Sequence, residues 1–321
     1  VQRAGSGRRR LAWQPNYRDR VEGSDDPRAL IGIGDGHRQF GDAAAVGVGD
    51  DGTREDFLLF HGLAQPVALR VQCAQGRRIG GGGTSDADFV LERLYGDLEA
   101  SDSVNLRVGK FLTPVGRWNV IHAQPLVWTT SRPLATEVAF DRHTTGATLF
   151  GSVYPRGGTL TYSLFGQFVD ALEPTREVLP AGRSAGGRLE YSARSGLSVA
   201  ATYLASSHHG DWQHLGGLDA LWQRGPLELM SEWVFAKGTG ELGDAWGGYV
   251  QSALEVLPSF YLVDRYEHFD QRAPEPEVNL VVLGAAYKPL PHVILKAEYL
   301  IADHPASESP PGFKASLAFL F

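Results

Sequence analysis

From residue 89 to its end the chain alternates apolar and polar side chains in runs of about ten residues, and that pattern restricts the fold more than any motif. Successive side chains on an extended strand point to opposite faces of a sheet, so alternation predicts strands with one apolar and one polar face. In segment 292–301, Val293, Leu295, Ala297, Tyr299 and Ile301 share one face, and His292, Lys296 and Glu298 share the other. Leu227, Leu229, Trp233 and Phe235 likewise oppose Glu228 and Glu232, and Leu197, Val199, Ala201 and Tyr203 oppose Ser198 and Thr202. Leu189, Tyr191 and Ala193 oppose Arg188, Glu190 and Ser192; Leu160, Tyr162, Leu164 and Phe168 oppose Thr161, Ser163 and Gln167; Val104, Leu106 and Val108 oppose Asn105 and Arg107. Thirteen such segments fill residues 89–321.

The connections alternate in length. Short ones fall at 100–103, 155–158, 194–196, 224–226, 257–259 and 289–292, and longer ones at 113–144, 170–184, 206–213, 238–244, 271–277 and 303–311. A soluble sandwich has no reason to gather its short turns at one end, whereas an up-and-down barrel does so by construction. Alternation does not say which face is inside: a soluble barrel fills its interior with the apolar face, and a membrane barrel turns that face to lipid. Three features favour the membrane arrangement. The polar faces are heavily charged, the turn lengths are polarised, and Tyr95, Tyr154, Tyr191, Tyr203, Trp222, Trp233, Tyr287 and Tyr299 lie near strand ends, as an interfacial girdle requires. The expectation is an all-β transmembrane up-and-down antiparallel β-barrel of about 14 strands, with 16 within reach, in contact with the lipid of a bacterial outer membrane. No stretch approaches the roughly 18 apolar residues of a spanning helix.

Composition removes other classes. Of 321 residues 43% are hydrophobic, too many for a disordered tail, and 30 Lys and Arg against 37 Asp and Glu leave a net charge of -7. With no basic block beyond Arg8 to Arg10, which reads as a solvated tail, nucleic acid is not an expected partner. The single cysteine, Cys73, makes no internal bridge and no multi-cysteine zinc site. The chain starts at Val1 without a basic and apolar leader, which reads as a processed chain or a fragment and does not argue for the cytoplasm. Residues 1–85 hold 12 Arg, no Lys and 16 Gly with weak periodicity. The expected domains are therefore a poorly patterned segment, 1–85, with one strand pair at 56–73, followed by the barrel, 86–321. A disordered extension, divergent strands and an upstream frame error would all give that texture.

The last nine residues alternate again, with Phe313, Leu317, Phe319 and Phe321 on one face and the chain stopping on an aromatic. This resembles the assembly signal of bacterial outer-membrane proteins and implies the barrel-assembly machinery as a partner. Five further runs are Phe89-Val90-Leu91-Glu92-Arg93-Leu94-Tyr95; Leu106-Arg107-Val108-Gly109-Lys110-Phe111-Leu112-Thr113-Pro114-Val115-Gly116; Arg265-Tyr266-Glu267; Ala286-Tyr287-Lys288-Pro289; and Leu295-Lys296-Ala297-Glu298-Tyr299. On these runs the barrel segment resembles the bacterial porins of the phosphate-selective porin O/P type. The resemblance implies a pore of about 16 strands, a homotrimer and passive diffusion of small polar solutes or ions. It also places the polar segment 118–145, with Trp128-Thr129-Thr130-Ser131-Arg132-Pro133, where such porins fold a loop into the lumen. Arg117, Arg132, Arg142 and His143 would then meet a solute at a constriction.

Alternation puts Arg93, Arg107, Arg188, Arg265 and Lys296 on the lumen side, together with Asp97, Glu190, Asp219, Glu228, Glu232, Glu267 and Glu298. The acids outnumber the bases and are interleaved with them, which argues for a general or weakly cation-preferring channel over a dedicated anion pore. Each charge has a plainer reading as a cross-strand partner, a contribution of about 0.2–1 kcal/mol. No enzyme, cofactor or metal is expected. His208-His209 lacks the i, i+4 spacing and intervening Glu of a zincin, and Gly80 to Gly83 is followed by no Gly-Lys-Ser/Thr and reads as linker. No segment carries the pattern of an outer-membrane phospholipase. Two alternatives stay open: a β-barrel sheath for a periplasmic electron-transfer partner, with Gly186, Ala200, Gly217 and Gly247 as small inward residues, and a soluble β-sandwich binding protein.

Overall fold

The computed structural model describes residues 46–48, 54–64, 67–77 and 87–319, except 122–124, 171–179, 241, 271–275, 291 and 305–308, with side chains described from Arg93 on. The strands are β1 (Val46–Val48), β2 (Arg54–Ala64), β3 (Val67–Arg77), β4 (Ala87–Ser101) and β5 (Val104–Leu112). After a long loop come β6 (His143–Val153), β7 (Gly158–Gln167), β8 (Arg183–Ala193), β9 (Leu197–His208), β10 (Asp211–Arg224) and β11 (Leu227–Gly238). The remainder are β12 (Ala245–Leu257), β13 (Phe260–Asp270), β14 (Val278–Leu290), β15 (Val293–Ala302) and β16 (Gly312–Phe319).

All sixteen form one sheet in chain order, each antiparallel to its sequence neighbours. β1 also lies close to β16, which brings the two ends of the sheet together, although no ladder joins them among the described residues. The alternating segments from residue 89 onward are β4 to β16. The sheet has sixteen strands, the upper of the two numbers expected, and it begins upstream of residue 86: β2 pairs with β3, and β3 pairs with β4. A single continuous sheet also excludes the two packed sheets of a sandwich.

Burial shows the inversion. On β10, Leu218 is 60% exposed on the outer wall while its neighbour Asp219 is 6% exposed on the inner one. The same phase runs along β13, where Leu262 and Tyr266 face out and Val263, Arg265 and Glu267 face in, and along β15, where Leu295 and Tyr299 face out and Lys296 and Glu298 face in. Phe313 and Leu317 are exposed and Phe319 shares their phase on β16; Phe321 lies outside the described residues. Of the proposed girdle residues Tyr95 does not face outward, and Tyr203 and Trp233 face outward from mid-strand rather than from a strand end. Tyr95 is buried in the inner phase of β4, beneath the Arg107 guanidinium, whose carbon lies 3.9 Å from its ring centre.

Turns of two to four residues lie at one end of the barrel, at 102–103, 154–157, 194–196, 225–226, 258–259 and 291–292. The other end carries the loops 113–142, 168–182, 239–244, 271–277 and 303–311. The expected long connection 206–213 is instead a two-residue turn, His209 (φ 53°) and Gly210 (φ 103°), because a tight hairpin twisted like its strands needs left-handed backbone at both central positions. His208 consequently belongs to β9, buried, with its ring nitrogens 2.8 Å from Ser206 Oγ and 3.1 Å from the Pro180 carbonyl oxygen. Among the described residues no helix is long and apolar enough to cross a membrane; the strands do the crossing.

Candidate functional site

The interior is partly filled by the chain itself. Loop 113–142 leaves the top of β5, folds inward through α1 (Arg117–Ile121) and α2 (Leu134–Val138), and returns to β6. Its base is clamped: Thr113 N–H donates to the Arg142 carbonyl at 2.9 Å, and the Asn119 amide donates to the Thr113 and Arg142 carbonyls at 2.8 and 3.2 Å. Gly116 makes the inward turn with φ +67°, and a Cβ there would stand 2.3 Å from Glu232 Oε2, so the position excludes a side chain on two counts.

A loop inside a barrel must find partners for the backbone groups that it cannot pair with itself. Three wall carboxylates meet that need. Trp118 N–H donates to Glu232 Oε1 at 2.5 Å, Thr130 and Ser131 N–H donate to the two oxygens of Glu298 at 2.9 and 2.6 Å, and Leu134 N–H donates to Glu267 Oε2 at 2.7 Å. Cations on the same wall complete the seat. Arg265 donates to Thr129 Oγ1 (2.6 Å), Ser131 Oγ (2.8 Å), the Ser131 carbonyl (3.1 Å) and Glu267 Oε1 (2.7 Å). Lys296 Nζ donates to the Thr129 carbonyl at 3.0 Å. The Trp128 indole N–H donates to Glu228 at 2.7 Å while its ring packs 4.5 Å from Tyr261 and 3.8 Å from Lys288 Nζ.

The lumen-side charges of β13 and β15 therefore hold the loop rather than line open water. Arg265, Glu267, Lys296 and Glu298 are all 3% exposed or less, and Glu232 on β11 is buried as deeply. Alternation places a residue on a face without saying what covers that face, and here 113–142 covers it. Glu228, on the same wall, is half-buried and engaged by Trp128 and by the Gln223 amide at 2.6 Å.

The wall from β4 to β10 carries its charges differently. Arg107 grips Asp97 through two bonds, 2.7 and 2.9 Å, and lies between the rings of Tyr95 and Phe150. Arg93 follows the same inner phase of β4. Arg188 bonds Asp219 and Glu190, and Arg117 reaches from α1 to Glu190 (2.9 Å) and Asp219 (3.3 Å). Arg117 is thus a buried member of an ion network and not a solute-facing residue. Burial alone would lower its guanidinium pKa; Glu190 and Asp219 outweigh that and raise it, so it stays cationic. Arg132 and Arg142 share Glu137, with Arg132 also donating to Asn119 Oδ1 at 2.6 Å, and Arg142 is the more exposed, at 34%. His143 takes the outward phase of β6, because its neighbour Thr144 turns inward to meet Thr113 Oγ1 at 3.0 Å.

Sequence reasoning placed Asn119 and Trp128 in the inward loop and Gly116 and Lys288 in the runs that carry the resemblance, but gave none of them a role, and it passed over Tyr249. Tyr249 donates to Glu232 at 2.7 Å, and its inward phase on β12 was available from alternation. Among the described residues no group of His, Cys, Asp and Glu is placed to hold a metal ion.

No protein-family model matches the chain. An uncharacterised protein of Aquifex aeolicus is 25% identical over 297 residues, covering 75% of this chain and 67% of that one. Among solved structures, the anion-selective porin of Comamonas acidovorans is similar at TM-score 0.61 and 13% identity, covering 87% of this chain and 97% of that one. Salmonella typhi OmpF, solved with daunomycin, is similar at TM-score 0.63 and 10% identity, covering 87% and 95%. The fold is that of the outer-membrane porins. With its apolar side chains outermost and its charges inside, the chain is an outer-membrane β-barrel.

Proposed function

We propose that this barrel is a passive diffusion porin for small hydrophilic solutes and ions, narrowed by loop 113–142 and weakly selective for charge. One observation carries the reading: the loop is seated inside the lumen on buried wall residues, with Glu232, Glu267 and Glu298 accepting its amides. A segment held in this way would narrow whatever passage runs between it and the opposite wall. Weak selectivity follows from pairing. Arg107 answers Asp97, Arg188 and Arg117 answer Glu190 and Asp219, Arg265 answers Glu267, and Arg132 and Arg142 answer Glu137, so little net field is left for either sign of ion. This supports a general channel over the phosphate selectivity that the porin O/P resemblance implies. The sheath reading is less well supported, since loop 113–142 takes up interior space that an electron-transfer partner would need. A homotrimer is proposed on the resemblance to porins.

The test is single-channel conductance of the refolded chain in a planar bilayer, with reversal potential under a salt gradient. Discrete open steps with a reversal potential near zero or slightly cation-preferring are expected. A folded barrel that does not conduct would sink the porin reading, and strong anion preference would sink the weak-selectivity part of it.

A further inference from the structure

Three successive hairpins at the short-turn rim share one arrangement. Arg156 follows Tyr154 in the β6–β7 turn, Arg194 follows Tyr191 in the β8–β9 turn, and Arg224 follows Trp222 at the β10–β11 turn; all three arginines are exposed. Tyr191 and Trp222 lie in the outward phase of their strands, with Leu189 and Leu218, and Tyr154 is 53% exposed.

The turns are tied to one another. Arg194 N–H donates to the Gly157 carbonyl at 3.0 Å, and Gln223 N–H donates to the Gly196 carbonyl at 3.0 Å. The Tyr191 ring lies on Gly158, where a Cβ would stand 3.0 Å from it, so the first two turns are packed as well as bonded. Residues 154–157, 194–196 and 224–226 contain no Asp or Glu. One arginine on a turn is an ordinary solvated residue, but three on a bonded arc concentrate positive charge just beyond an apolar wall. That is the depth at which a bilayer holds its headgroup phosphates. Aromatic rings favour this interface, long cationic side chains reach through it, and the planar guanidinium fork matches phosphate oxygens.

We propose that the arc formed by Arg156, Arg194 and Arg224 binds the phosphates of anionic phospholipids in the leaflet that the short turns reach. The inference needs the barrel to cross a bilayer and does not need it to conduct. The two rims differ in degree: at the loop end the outward cations Arg183 and Lys237 share their rim with Asp211, Asp244, Asp270 and Asp303, whereas beside the arc Asp102 is exposed in the neighbouring β4–β5 turn.

The experiment mixes the refolded full chain in detergent with phosphatidylglycerol and phosphatidylcholine of matched acyl chains and counts retained lipids by native mass spectrometry. Phosphatidylglycerol is expected to be retained over phosphatidylcholine, with the preference weakening as salt rises. Combining Arg156→Gln, Arg194→Gln and Arg224→Gln is expected to weaken phosphatidylglycerol binding about tenfold or more, and Arg194→Gln alone by about fivefold, should the triple variant fail to refold. Arg183→Gln with Lys237→Gln is expected to keep the preference. Equal retention of the two lipids by the native chain would overturn the proposal and leave the arc to a soluble anionic partner. An unchanged preference in the Arg194→Gln and triple variants would overturn it as well.

Discussion

Two stretches of the inner wall carry the same residue types and use them in opposite ways. On β13 and β15, Arg265, Glu267, Lys296 and Glu298 reach across to loop 113–142 and are almost completely buried by it. On β4, β5 and β8, Asp97, Arg107, Arg188 and Glu190 pair mainly along the wall, and Arg107 and Glu190 keep 15% and 21% of their surface. An inward charge is thus a seat for loop amides and hydroxyls on one stretch and a member of charge-to-charge pairs on the other, where Arg117 is the loop's own contribution. The first group should govern stability and pore width, and the second should govern ion preference.

The largest effect should come from removing an anchor. Glu298→Ala strips the acceptors from two buried loop amides, a loss of about 2–6 kcal/mol at about 1–3 kcal/mol for each donor left unsatisfied. Urea unfolding should show the loss, and single-channel recordings should show larger, noisier openings. Unchanged conductance would mean that the loop does not set the pore width.

Next in size is Gly116→Ala. Left-handed backbone and the close Glu232 oxygen act together, and the expected cost is about 1–3 kcal/mol, read as a lower denaturation midpoint with altered conductance. If the midpoint stays put, the inward turn is not constrained as described.

Arg107→Gln tests the other wall. It leaves the buried Asp97 with a neutral amide that can still donate in place of the guanidinium, and should move the reversal potential toward cations with a smaller stability loss than Glu298→Ala. A stability loss equal to that of the anchor variant, without a change in selectivity, would erase the distinction between the two walls.

The smallest effect concerns the loop end, away from both walls. Side-chain and backbone hydrogen bonds from Asn279, with help from the His304 N–H, hold the exposed Asp303 carboxyl down to about 2. A carboxyl depressed in the fold contributes stability above its unfolded pKa of about 4 and loses it as pH falls toward 2. Protection of the Asn279 amide against exchange, relative to its intrinsic rate, should therefore fall between about pH 4 and pH 2, and Asp303→Asn should flatten that change.

Much of the barrel was legible before any coordinates. The phase of Lys296 and Glu298 against Leu295 and Tyr299, the odd-position apolar run at 313–319, and the long segment after residue 113 all follow from local rules. Other features depended on longer-range context. β2 and β3 hold register with each other and with β4, though their own alternation is weak. Tyr95 reads as a girdle residue in a segment that starts at Phe89, yet it lies mid-strand in β4 and its phase turns it inward under Arg107. The β9–β10 connection reads as a loop because His208, His209 and Gly210 are polar or flexible, although the strands run on until only two residues remain between them.

By itself the sequence determined the strands from β4 onward and which residues share each side of the sheet, because each depends on residues two apart along one chain segment. Only the tertiary structure decided which interior charges seat the loop and which pair with one another. That assignment depends on where loop 113–142 lands: its amides meet Glu298, 167 and 168 residues away in sequence, and no local pattern encodes a contact made across a lumen.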